Sequence, residues 1–368
     1  MKKWLIAIRW FVGLLFIFSG LIKANDPLGL SYKMQEFFEA WHLNGFHNYT
    51  LFASIGMNIL EVVAGVAVIV GWQMKRFSLL LLSLIVFFTF LTGYVLFSGK
   101  IHACGCFGDC LPLTPIQTFV KDLTLLFLIL LLVFKSADVN SYFKSSVSVF
   151  IISFALLGTL GIQLYVQKHL PILDCLPYAK GKNILEGMQL PPNAVSDSFA
   201  ITFKYKKNGQ QIEFDQNNFP ADFDSTYEYV NRYDKLVRKG TSLPKIVDFS
   251  LTTLSGIDTT KSILDRSDYY LLLFVKDFTA VNEWKTASFG RLIDVLRTKN
   301  ISYFVVTADV LGAQNYFLDN RILKCDATVI KTAARVNPTY FLMKGPVVIE
   351  KLSNSETGNM LTVLSKIK

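Results

Sequence analysis

Apolar residues follow two different rhythms along this chain. In the first half they run on for about 20 residues at a time, the length a helix needs to cross a bilayer. Five such runs are present, at 4–22, 50–72, 77–97, 119–134 and 146–166. The fourth is short unless its helix starts near Pro115. From about residue 178 apolar and polar positions mix. "FAITFKYKKNGQQIEFD" alternates around Asn208–Gly209 and predicts a hairpin. "STYEYVNRYDKLVRKG" is polar and reads as a connection to the next unit. After it come two buried strands, "YYLLLFV" (269–275) and "ISYFVVTAD". An amphipathic helix over 282–300 lies between them, with Trp284, Phe289, Leu292, Val295 and Leu296 on one side. "AQNYFLDNR" reads as a helix, "PTYFLMKGPVVIEKL" as a hairpin turning at Lys344–Gly345, and "GNMLTVLSKI" as a final helix. This order is an α/β layer arrangement. The expected fold is thus a membrane α-helical bundle followed by an α/β soluble domain. Its parts are a transmembrane domain (1–137), a fifth span with its linker (138–177), a small hairpin-containing connecting region (178–241) and the α/β domain (242–368).

Composition agrees. Hydrophobic residues make up 52% of the 368 positions, and mean hydropathy is +0.38, too apolar for an ordinary soluble protein. The formal charge of +9 does not point to nucleic acid, because several basic residues flank apolar runs, where topology explains them. Lys2, Lys3, Lys75, Arg76, Lys135 and Lys144 all fall on one side of a five-span chain. That side is expected to be cytoplasmic. The 23–49 loop, the cysteine loop and everything after residue 166 then lie outside, where disulfides form if the cell is bacterial. The first run resembles a signal peptide in its Lys2–Lys3 start. Arg9 interrupts it, however, and "SGLIKAND" lacks a small-x-small site, so it reads as a retained helix. In the first outer loop "NDPLGL" reads as a turn. "SYKMQEFFEAW" reads as a short amphipathic helix on the membrane surface or packed on the bundle.

The chemistry concentrates in "IHACGCFGDC", residues 101–110. Cys104, Cys106 and Cys110 crowd this loop, and only Cys175 and Cys325 lie elsewhere. Three readings are open. A Cys104–Cys106 bridge would close a small strained ring, an oxidising arrangement that Gly105 makes accessible and that Lys100 or His102 would activate. In that reading Cys104 and Cys106 are the working pair, and Cys110 or Cys175 exchanges with them. A metal reading uses His102, Cys104, Cys106 and Cys110 as a Cys3His set for zinc or copper, at a spacing cramped beside the usual knuckle. The plain alternative is a staple, Cys110 to Cys175, which also sits just outside the membrane. Cys325, in "ILKCDATVI", reads as a half-buried structural thiol.

Ionisable residues inside spans are costly and face the bundle interior. Arg9, near the inner end, serves as a topology anchor. Glu61, near the middle of span two, requires an interior cation or acts as a proton carrier. Lys121 and Asp122 stand beside the cysteine loop, where they can tune a thiol, with snorkelling as the alternative for Lys121. Gln163 is a weaker polar candidate.

Two resemblances sharpen these readings. "IRWFVGLLFIFSGLIKANDPLG" and "ACGCFGDC", followed by a span that opens with Lys121 and Asp122, resemble the DoxX-like superfamily and within it the MauE-like group, with its CGCFG loop. Over 242–368 the order of elements resembles a thioredoxin-like domain of the TlpA or peroxiredoxin kind, in which Pro338 would be cis. The redox motif is missing: "KDFTAVNEW" follows the first strand, with Thr279 and Asn282 at the two cysteine positions. A hydroxyl and an amide cannot replace a thiolate in disulfide exchange. The combination resembles DoxX-family proteins associated with Bacteroidota. The resemblance implies a multi-pass bacterial inner-membrane protein of extracytoplasmic thiol–disulfide redox, with a quinone as electron acceptor held near Glu61, Lys121 and Asp122. A redox-inactive thioredoxin-like domain would bind an extracytoplasmic protein partner. The alternatives are a non-enzymatic assembly factor with structural disulfides and a metal-handling protein.

Overall fold

The computed structural model describes residues 3–98, 101, 105–190, 198–207, 210–215, 218, 220, 223–224, 226–238 and 244–367. Among them, five helices are long and apolar enough to span a membrane. In chain order, α1 (Lys3–Asn25) is followed by a surface helix α2 (Pro27–Ala40), then α3 (Thr50–Val70), α4 (Met74–Ser98), α5 (Pro115–Phe134) and α6 (Ser145–Val166). α5 reaches spanning length because it starts at Pro115. Thr114 accepts from the Gln117 N–H, while the Gln117 side chain accepts from the Thr114 N–H, a reciprocal cap. The "NDPLGL" stretch is a helix start and not a turn. The Asp26 side chain accepts from the Gly29 N–H, and Pro27 takes the first helical position.

α1 and α3 cross where both carry glycine. A Cβ on Gly13 would lie 2.8 Å from the Gly65 carbonyl, and one on Gly65 would lie 2.7 Å from that of Gly13. About two turns further along α1, a Cβ on Gly20 would lie 3.1 Å from the Glu61 Cβ. Small residues let the backbones approach, as between helices in lipid. Arg9 is fully buried near the N-terminal end of α1, beside this crossing. Its Nε donates to the Ile69 carbonyl at 3.1 Å, and its guanidinium lies 4.1 Å above the Tyr142 ring. Gly71, at φ 78°, leaves room for it. Asn58 donates to Gln163 at 2.9 Å, which ties α3 to α6.

α7 (Ile184–Met188) follows the last span. A three-stranded sheet then forms from β1 (Ser198–Lys207), β2 (Gln210–Asp215) and β3 (Glu228–Arg238) in the order β2-β1-β3. The turn residues Asn208 and Gly209 lie outside the described residues, but Lys207 pairs with Gln210 across the expected hairpin. β3 corrects the sequence reading of this stretch as a plain connection. It pairs antiparallel with β1 from Glu228 to Arg238, and its polar composition hid the strand alternation.

The α/β unit comprises α8 (Thr260–Leu264), β4 (Tyr269–Val275), α9 (Val281–Trp284), α10 (Ala287–Thr298), β5 (Ser302–Thr307), α11 (Val310–Gln314), β6 (Ile322–Lys324), α12 (Ala327–Ala333), β7 (Thr339–Lys344), β8 (Val347–Ser353) and α13 (Thr357–Ser365). Sheet order is β6-β5-β4-β7-β8, with β4–β5 and β5–β6 parallel and the other pairs antiparallel. β4 is buried on both faces. Tyr270, Leu272 and Phe274 enter one core, and Leu271, Leu273 and Val275 the other, which accounts for its unbroken apolar run. Tyr178 and Ile184, from the region read as connecting, also pack into the first core.

Two helix readings are corrected. The helix expected over 282–300 is broken between α9 and α10, and Trp284 and Phe289 remain in contact across the break at 5.5 Å. The helix expected at 313–321 is mostly absent: α11 starts earlier, where Asp309 caps the Gly312 N–H, and ends at Gln314. The Asn337–Pro338 peptide is cis, as the sequence reading expected.

Candidate functional site at the cysteine loop

His102, Ala103 and Cys104 lie outside the described residues, as does Lys100, so the described part of the loop runs from Gly105. Gly105 (φ 72°) and Gly108 (φ 56°) occupy the left-handed region, and the Gly108 N–H bonds the Gly105 carbonyl at 2.9 Å. That tight turn sets Cys106 against the C-terminal half of α1, where the Ser19 hydroxyl donates to the Cys106 carbonyl at 3.1 Å. Phe107 packs on Phe18 at 5.9 Å and lies 5.0 Å from the Lys121 ammonium.

Cys110 is bridged to Cys175, with Cα atoms 4.9 Å apart. The bridge ties the loop to the chain leaving α6. The same strip of chain is held twice more. The Asn25 side chain donates to the Leu173 carbonyl at 2.8 Å and accepts from the Leu173 N–H at 3.0 Å. Asp174 pairs with the buried Lys351 of β8 at 2.7 Å.

The α/β unit closes over this platform through Arg335. Its guanidinium meets Asp26 at 2.8 Å and Asp109 at 3.2 Å, and it stacks on Tyr32 at 5.5 Å. Burial opposes the Arg335 charge, but Asp26 and Asp109 outweigh it and hold the pKa above the ordinary arginine value. Lys276 donates to the Arg335 carbonyl at 2.9 Å, and burial, with Arg335 nearby, pushes its pKa down to about 8. Arg335→Met is expected to loosen the docked unit by about 3 kcal/mol, since Asp26 keeps its charge and loses its buried partner. Amide hydrogen exchange of α12 and of residues 171–176 in the purified full chain measures this. Unchanged protection would mean that the ion pairs are not what holds the unit.

A cleft of about 340 Å³ remains between platform and α/β unit, and Cys106, Cys110 and Cys175 all line it. Below the loop lies a second, small space of about 10 Å³ inside the bundle, lined by Cys106, Ser19, Lys23, Glu61, Lys121 and Asp122, among others. Cys106 and Lys23 border both spaces.

Glu61 is fully buried, and the interior cation it requires is Lys23, ion-paired through Oε1. The Lys23 ammonium also lies 4.7 Å from the centre of the Phe88 ring. Lys23 falls at the start of the 23–49 loop expected from the sequence, but it lies within α1. Asp122 is buried between Lys121 at 2.5 Å and the Thr92 hydroxyl at 3.0 Å. Glu61, Lys121 and Asp122 are therefore brought together, but around a space the size of one water molecule. Pockets for organic ligands run from roughly 300 Å³ upward. These three residues, as arranged, do not fit a quinone ring between them.

Two members of the Cys3His set, His102 and Cys104, fall outside the described residues. Among the described residues no group of three or more histidine, cysteine, aspartate or glutamate side chains is disposed to hold a metal. Cys325 is buried in the α/β core rather than half-buried, and burial pushes its thiol up to about 12. Thr279 stands after β4 and bonds Asp277, and Asn282 lies in α9.

Comparison with known proteins bears on the first half most directly. Residues 1–135 match the family model of methylamine utilisation protein MauE. The membrane half is MauE-like. Its matched segment takes in α1 to α5 and the whole cysteine loop, while α6 and Cys175 lie beyond it. Residues 199–239, which span the three-stranded sheet, match a domain of unknown function, DUF8463. A curated relative, Protein TlpB of Flavobacterium psychrophilum, is 29% identical over 149 residues, covering 37% of this chain. The match spans 39% of that relative's length. No solved structure matches the chain.

Proposed function

We propose that this is an extracytoplasmic thiol–disulfide exchange protein of the bacterial inner membrane, with its N-terminus in the cytoplasm and its α/β unit in the periplasm. The observation that carries the reading is the cleft shared by Cys106, Cys110 and Cys175. In this reading Cys104 and Cys106 are the working pair. A Cys106 thiolate attacks one sulfur of a disulfide, either Cys110–Cys175 or a partner's. A new S–S bond forms to Cys106, and the displaced sulfur leaves as a thiolate and takes up a proton. The Cys104 thiol then resolves the mixed disulfide. Cys110–Cys175 serves as the relay to a protein partner in the cleft.

The sheet order and the position of Pro338 at the start of β7 support a thioredoxin-like reading of the α/β unit. With Thr279 and Asn282 at the cysteine positions, that unit positions a partner and performs no exchange itself. A quinone enters this reading only as a molecule reaching the loop from the lipid side, and no step is assigned to it. A second reading is favoured by the Cys110–Cys175 bridge, which is well placed as a permanent staple of an assembly factor.

Differential alkylation with mass spectrometry, on native membranes exposed to a reduced or an oxidised dithiol peptide, decides between them. Exchange predicts that Cys104 and Cys106 change state with the peptide, while Cys325 stays an unlabelled thiol until denaturant is added. If Cys104 and Cys106 hold one state against both peptides, the staple reading stands.

A further inference from the structure

The Glu61 carboxylate is asymmetric in its surroundings. Oε1 is taken by Lys23, whereas Oε2 is buried and has no hydrogen-bond partner. A buried acceptor without a partner calls for an explanation. Glu61 lines the small cavity, and Cys106 forms part of the same wall. At about 10 Å³ the space suits one water, and Ser19, Lys121 and Asp122 offer that water further polar partners.

We infer that Glu61 is the proton acceptor for Cys106, reached through a single water in this cavity. The Cys106 S–H bond breaks, its electron pair stays on sulfur as the thiolate, and the proton passes by way of the water to Oε2, giving a neutral carboxylic acid. When a thiolate is regenerated the proton returns by the same route. Lys23 is a positioning residue, occupying Oε1 so that Oε2 faces the space. Within the exchange reading, on which its use rests, this supplies the attacking thiolate.

The other charged groups around the cavity are Lys121 and Asp122 from α5, and α4 lends it only Ile85 and Phe88. On the cleft side the titratable groups are Tyr32, Lys33, Glu36 and Glu39 of α2, with Asp26, Asp109, Asp174, Lys331 and Arg335. Lys121 stabilises a thiolate by charge but, already protonated, cannot take the proton. Asp122 has both oxygens bonded, one to Lys121 and one to Thr92. Of the two carboxylates that line the small cavity among the described residues, Glu61 is the one with an open buried oxygen.

The test uses the full chain in native membranes, in a Cys104→Ser background after mild reduction, and follows Cys106 alkylation by iodoacetamide against pH. A Lys23→Met, Glu61→Gln double variant leaves no lone buried charge. It is expected to slow Cys106 alkylation at pH 7 by about tenfold and to move the pH profile upward, with Cys325 still unlabelled as the control for folding. An unchanged profile overturns the inference. A second measurement leaves Glu61 intact: infrared difference spectra should show a neutral carboxyl band appearing as Cys106 ionises, lost in Cys106→Ser. Its absence from the unsubstituted chain also overturns the inference. A shifted profile without peptide exchange sinks the exchange reading and keeps the proton acceptor. Peptide exchange with an unshifted profile does the reverse.

Discussion

Glu61→Ala is expected to cost the membrane half about 3–5 kcal/mol of stability. Lys23 and Glu61 are both almost wholly buried, at 2% and 1% side-chain exposure. The substitution would strip the ammonium of its carboxylate and leave it buried beside the Phe88 ring. The glycine crossing of α1 and α3 fixes the two helices side by side here, since Gly20 already sits against Glu61. Removing both charges together, as Lys23→Met with Glu61→Met, is expected to recover most of the loss, because desolvating an ion pair offsets much of its attraction. Reversible unfolding in mixed micelles with rising detergent denaturant measures both. Equal losses in the single and double variants would show that shape, not charge, governs this contact.

The second large effect is expected from Cys110→Ser with Cys175→Ser. The bridge closes 65 residues of chain, which in the chain-entropy picture is worth about 4 kcal/mol in a freely unfolded chain. The enclosed helices α5 and α6 stay helical in the membrane when tertiary contacts are lost, so the expected cost is about 2–4 kcal/mol. Asn25, Lys351 and Arg335 still hold the platform in the variant, so the fold should survive with a lower unfolding midpoint. The same drop should appear when the unsubstituted protein is unfolded with reductant present. A midpoint indifferent to both substitution and reductant would mean that the ion pairs alone maintain the platform.

Much of the architecture was legible because its signals are local. Each span announces itself by length, and "YYLLLFV" by an apolar run that two cores explain. The Asp26 and Asp309 caps were local signals read past; the other main misses depended on a partner far away in sequence. β3 became a strand by pairing with β1, although charged residues break up its own alternation. Cys110 with Cys175 was open to reading because parity of spans returns both to one face. Glu61 signalled its need for a cation, yet nothing local chose Lys23, 38 residues earlier, from among the lysines near the span ends. The Arg335 clamp gave no signal at all. Arg335, Asp26 and Asp109 are ordinary surface residues until the α/β unit turns back onto the loop. Asp26 carried a local meaning as a helix cap, and the structure uses it for both purposes.

The Cys110–Cys175 bridge also bears on how the chain is made. Cys110 leaves the ribosome before α5 and α6, whereas Cys175 follows both. The two thiols meet only after α5 has passed through the bilayer and α6 has come back. An oxidised bridge is therefore a certificate of correct insertion, issued late in biosynthesis. A chain in which either helix failed to cross would leave its two cysteines stranded on opposite sides of the lipid.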